Sequence, residues 1–99
     1  MNDQLSKTAT ITQIYRIRET IKSLKNGEDL VQLRLNADEE PIRKDNHNHS
    51  NEITWGWEQL LKEIQTLPDT YIDKSLYIDI AKKGFKIAVK LMGETQDRY

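Results

Sequence analysis

The chain has no cysteine, and only two prolines and four glycines among its 99 residues. Without cysteine there can be no disulfide framework, no thiolate metal site and no cysteine nucleophile, which sets aside the small secreted domains that depend on cross-links. Four scattered glycines do not build a phosphate cradle, and neither G-x-x-x-x-G-K-[ST] nor G-x-G-x-x-G occurs. Long apolar runs are missing as well. The longest uninterrupted aliphatic stretch is Ile87-Ala88-Val89, far short of the roughly 20 residues of a membrane span, and residues 1–10 carry no stretch of signal-peptide type. Neither sign of charge dominates: 15 Lys and Arg against 16 Asp and Glu give −1, so total charge offers no case for nucleic-acid or acidic-membrane binding. A cytoplasmic setting is the expectation that fits these absences.

The chain is 36% hydrophobic and 31% charged with a mean hydropathy of −0.78. It is very polar, yet it holds enough Leu, Ile, Val and aromatic residues to leave the disordered class. Its length suits one domain, with a core over about 10–92, that buries about two thirds of its unfolded surface. Little apolar material is then left for a deep ligand cavity. No internal repeat is present.

Ile14, Ile17, Ile21 and Leu24 step by three, four and three, which places them on one helical stripe. Asn26-Gly27 follows and reads as a helix stop, with Lys22 and Lys25 suited to the negative end of the dipole. From Glu28 to Asn36 the period changes, and Val31, Leu33 and Leu35 alternate with polar residues as in a half-buried strand. Residues 37–52 lack apolar periodicity and read as a long polar loop, a tether or a contact with a partner. A second helix follows, with Ile53, Trp57, Leu60, Leu61 and Ile64 on one face, Thr54 as N-cap and Pro68 as terminator.

At the C-terminal end, a two-residue turn at Lys83-Gly84 pairs Ile80 with Ile87, Ile78 with Val89 and Leu76 with Leu91 on one face of a hairpin. Residues 93–99 read as a flexible tail. The resulting expectation is an α+β two-layer sandwich, α-β-α-β-β, with a three-stranded mainly antiparallel sheet and two helices on one face.

Few residues point to chemistry. His47 and His49 are spaced i, i+2 in a polar segment, whereas zinc on a helix takes i, i+4 pairs with a third ligand, so they read as solvated loop histidines and no metal is expected. No Ser-His-Asp arrangement and no carboxylate pair with reason for a raised pKa can be found. Neither an enzyme nor a cofactor is expected. The −1 total is a cancellation: within 74–91, Lys74, Lys82, Lys83, Lys86 and Lys90 face Asp79 alone, while within 37–52 Arg43 and Lys44 face Asp38, Glu39, Glu40, Asp45 and Glu52. Trp57 belongs to the helical core face and Trp55 does not, and an exposed tryptophan is a typical interface anchor.

The expectation is therefore a small cytoplasmic, non-enzymatic interaction protein, a regulator, adaptor or inhibitor, that binds a larger protein and is itself monomer or homodimer. Its contact residues would be Trp55, Tyr77, Lys82, Lys83, Lys86 and Lys90, with Asp38, Glu39 and Glu40 on the acidic side. The alternative is a nucleic-acid-binding module in which the basic hairpin tracks phosphates and Tyr77, on its outer face, stacks a base.

Overall fold

A computed structural model describes residues 3–37 and 43–98, with the side chains of 10–36 and 48–95. It contains three helices, α1 (Asp3–Ala37), α2 (Arg43–Gln65) and α3 (Lys74–Arg98), and no strand among the described residues. The α+β sandwich is thus overturned in favour of a three-helix bundle.

The cause is a period that runs further than its apolar members suggest. In α1 the inward positions are Ile14, Ile17, Ile21, Leu24, Glu28, Val31 and Leu35, spaced alternately by three and four. In α2 they are Ser50, Ile53, Trp57, Leu60 and Ile64, continued by Leu67 just past its end, and in α3 Tyr77, Ala81, Gly84, Ala88, Leu91 and Thr95. Each set repeats every 3.5 residues on average, the seam geometry of helices packed in a bundle. Glu28 holds an inward position where an apolar residue is expected. That charge interrupts the apolar stripe and makes α1 look finished at Asn26-Gly27, although the helix continues through both.

Gly27, Gly56 and Gly84 mark close helix crossings rather than turns. A Cβ on Gly27 would lie 3.0 Å from Ile53 Cδ1, and one on Gly56 would lie 2.6 Å from Leu24 Cδ2, so α1 and α2 approach through reciprocal glycines. Gly84 is mid-helix and buried, and a Cβ there would intrude on the Trp57 ring. Trp57 is the largest fully buried side chain among the described residues, and Gly84, which shares a helical stripe with the small Ala81 and Ala88, makes room for it. The expected hairpin is therefore one helix, with Lys83-Gly84 at its centre.

Other boundaries move for related reasons. Residues 43–52 are helical, and Thr54 is an interior residue whose hydroxyl donates to the Ser50 carbonyl at 2.8 Å, not an N-cap. The polar half of α2 follows the same helix as its apolar half. Residues 93–98, expected as a flexible tail, are the last turns of α3, with Thr95 buried. Pro68 does close α2: Thr66 and Leu67 N–H bond back to the Glu63 and Ile64 carbonyls at 3.0 Å, and the Asp73 carbonyl accepts the first bond of α3.

Gln13 Nε2 donates to Thr66 Oγ1 at 2.6 Å, Arg16 meets Glu63 at 3.4 Å, and Gly27 lies on Ile53, so α1 and α2 are antiparallel. Arg18 Nε donates to the Tyr77 hydroxyl at 2.7 Å, and further along both helices Glu28 and Gln32 lie across a groove from Gly84 and Leu91. Helices α1 and α3 are consequently parallel. The molecule is a rod of 56 × 17 × 16 Å with a radius of gyration of 16.2 Å, where a compact domain of this length has about 13 Å. Its core is one line of layers, each supplied by all three helices.

Candidate functional site

Because α2 and α3 close tightly over Trp57 and Gly84, the remaining seam between α1 and α3 stays partly open. A groove of about 410 Å³ lies there, with Lys25, Glu28, Asp29 and Gln32 on one wall and Ile80, Lys83, Gly84, Ile87 and Leu91 on the other. Helical spacing extends both walls. On α1, Arg18, Lys22, Lys25, Asp29 and Gln32 form one row beside the core stripe, and on α3, Leu76, Ile80, Lys83, Ile87, Lys90 and Glu94 form the other. Five cations face two carboxylates along these rows, and Leu76 and Ile87 are about half exposed between them. The groove is cationic at its rims and apolar within.

Glu28 forms part of the wall and is the unusual group of the site. It is only 5% exposed, and burial pushes its carboxyl from the ordinary 4.5 up to about 7. The neighbouring Trp57 indole N–H and the Lys25 ammonium pull the other way, while Asp29 adds to the rise. The indole lies close enough to favour the ionised carboxyl without reaching hydrogen-bonding geometry: Glu28 Oε2 and Trp57 Nε1 are both buried without a hydrogen-bond partner. Two adjacent polar groups are thus buried without a well-formed hydrogen bond where α3 packs on Trp57.

The residues expected to bind a partner are dispersed. Lys83 lines the groove and Lys90 lies on its rim row, whereas Lys82 and Lys86 precede Lys90 at i, i+4, i+8 along the solvent side of α3. Trp55 is 64% exposed, on the side of α2 opposite the core. Tyr77, expected on an outer face, is buried: its ring stacks on Tyr71 at 6.1 Å and its hydroxyl accepts from Arg18. Asp38, Glu39 and Glu40 lie outside the described residues.

The side chain of His47 also lies outside them. His49 is 3.7 Å from Glu52, and among the described residues no group of three or more metal-ligating side chains occurs. No helix of the described residues is long and apolar enough to cross a membrane. Glu28 escaped the sequence reading. Its signal was available in the seven-position row from Ile14 to Leu35, which is regular only when Glu28 is counted as a core residue. No protein-family model, curated protein or solved structure matches this chain.

Proposed function

We propose that the protein is a non-enzymatic interaction module that receives an amphipathic, acid-flanked helix of a larger protein partner in the groove between α1 and α3. The observation that carries this is the half-exposed Leu76 and Ile87 set between rows rich in Arg18, Lys22, Lys25, Lys83 and Lys90. A visiting helix with apolar residues at i, i+3, i+4 and i+7 would cover the apolar strip, and acidic flanks would meet the cations. From Arg18 to Gln32 the groove offers about 20 Å at 1.5 Å per residue, close to four turns. It would then act as an adaptor, regulator or inhibitor by occupying that helix.

The test is a photo-crosslinking residue at Ile87, with Gln59 on the solvent side of α2 as control, in cells that produce the protein. A discrete protein adduct at Ile87 only, mapping to an amphipathic acidic segment and lost in Lys25→Glu/Lys83→Glu, supports the proposal. Equal adducts at both positions, or none at Ile87, overturn it.

A nucleic-acid partner has support only from the row Lys82, Lys86, Lys90. Burial of Tyr77 takes away the base-stacking surface, leaving phosphate contacts whose affinity for a short oligonucleotide would fall steeply with salt.

A further inference from the structure

Resting on that proposal, we infer that the docked helix runs antiparallel to α1 and α3, carries its acidic residues in its C-terminal half, and takes the fourth place of an up-down-up-down bundle. The hydrogen bond from Arg18 to Tyr77 at 2.7 Å fixes the level of the two parallel walls. Counting helical turns from there divides the groove in two. The half nearer the start of α3 holds Arg18, Lys22, Lys25 and Lys83, with no carboxylate on either row. In the other half Lys90 stands against Asp29 and Glu94. Lys22 also meets Glu19 at 3.7 Å, so the charge offered to a visitor in the cationic half comes chiefly from Arg18, Lys25 and Lys83.

Two arguments give the same direction. A helix carries partial positive charge at its N-terminus and partial negative charge at its C-terminus, so the visitor's C-terminus belongs over the cationic half and its N-terminus beside Asp29 and Glu94. That orientation runs against both α1 and α3. Helix α2 lies on the opposite side of the same pair and also runs against both, so a visitor in the groove completes a bundle in which every neighbouring pair is antiparallel. The apolar contacts suit such packing, because Leu76, Ile80 and Ile87 are spaced by four and seven residues, as in a helical seam. Acidic side chains of the visitor belong over the cations, and in this direction they fall in its C-terminal half. A visitor lying the other way can keep its acids over the cations, but both of its ends then face charge of their own sign.

The probes are a pair of synthetic peptides of about 15 residues, the length that spans Arg18 to Gln32, titrated into the full chain. Both carry the same leucine stripe and are held helical by a lactam bridge on the opposite face. Glutamates fill the polar positions in the C-terminal half of one and in the N-terminal half of the other, with glutamine elsewhere. Each bears a nitroxide at its N-terminus, and the methyl resonances of Leu76 and Ile87 report where that end lies. The peptide with C-terminal glutamates is expected to bind about fivefold more tightly, the worth of two helix ends in favourable fields. Its label should broaden Ile87 and spare Leu76. Asp29→Lys/Glu94→Lys should erase the preference while both peptides still bind, and a preference that survives overturns the inference. Broadening of Leu76 in place of Ile87, or equal affinities with the peptides lying in opposite directions, overturns it and leaves groove docking standing. If neither peptide perturbs the Leu76 or Ile87 methyls, both proposals fall. For the natural occupant, crosslinkers at Leu76 and Ile87 should map to the C-terminal and N-terminal parts of one helix respectively. The reverse order overturns the inference.

Discussion

A carboxyl group buried beside a tryptophan costs the fold more when it is charged than when it is neutral. Glu28 is unfolded at an ordinary 4.5 and folded at about 7, so below pH 4.5 it is protonated in both states and neutral in its effect. As pH rises through that window the unfolded chain releases the proton first, and stability declines until about pH 7, beyond which the loss is complete. At 1.36 kcal/mol per pH unit the loss has an upper bound of roughly 3 kcal/mol. Glu28→Gln cannot titrate. Its urea midpoint relative to wild type should therefore rise between pH 5 and pH 8, and a constant difference would show that Glu28 titrates normally. Gly84 sets a second limit. Gly84→Ala forces a methyl into the Trp57 ring and should cost about 1–3 kcal/mol despite the better helix propensity of Ala. Gly93→Ala, with nothing within 4 Å of its added carbon, should instead gain about 0.5–1 kcal/mol. Thermal melts of the two variants moving in the same direction would contradict the assigned packing.

At the scale of elements, the segment from Glu28 to Leu35 shows how a strand and a helix can share apolar letters. As a strand, Val31, Leu33 and Leu35 face one side together. As part of α1, Val31 and Leu35 are buried and Leu33 is 66% exposed. Val31→Ala should therefore cost about 1–2 kcal/mol in chemical denaturation while Leu33→Ser stays within about 0.5 kcal/mol. Similar costs at both positions would restore the strand. The stripe from Ile14 to Leu24 and the face Ile53, Trp57, Leu60, Ile64 were legible because each is an unbroken run of apolar residues at helical spacing. Three features hid the rest. A charged residue at a core position, a glycine serving a crossing and a polar first half of α2 each resemble a boundary when only local pattern is read. The hairpin failed on the same ambiguity, since Ile80 and Ile87 share a side as opposite strand partners and also as residues seven apart on a helix. Of the candidate site, the lysines were legible by composition. The groove was not, because it arises from the unequal spacing of three helices, and nothing local distinguishes Glu28 from an ordinary solvated polar residue.

For the whole molecule, the rod has one structural consequence that outlasts any single contact. A core made of a single line of layers gives no pair of helices a complete interior: Trp57 needs α3 for Gly84 and α1 for the surroundings of Glu28, and Leu24 of α1 packs on Gly56 of α2. Removing α1 would expose Ile53 and Leu60 along the length of α2, and with them the unsatisfied indole N–H. All three helices should therefore unfold together, as small single domains usually do. In Trp55→Phe, which leaves Trp57 as the sole tryptophan, indole fluorescence reports the central layer while far-ultraviolet circular dichroism reports all three helices. Their urea transitions should coincide in midpoint and slope, with m about 1 kcal/mol/M as suits a chain of this size. A two-step loss of helical signal, with the fluorescence change confined to one step, would show that α1 detaches from a persisting α2–α3 pair. The groove would then be the edge of a separable helix rather than a surface held open by the fold.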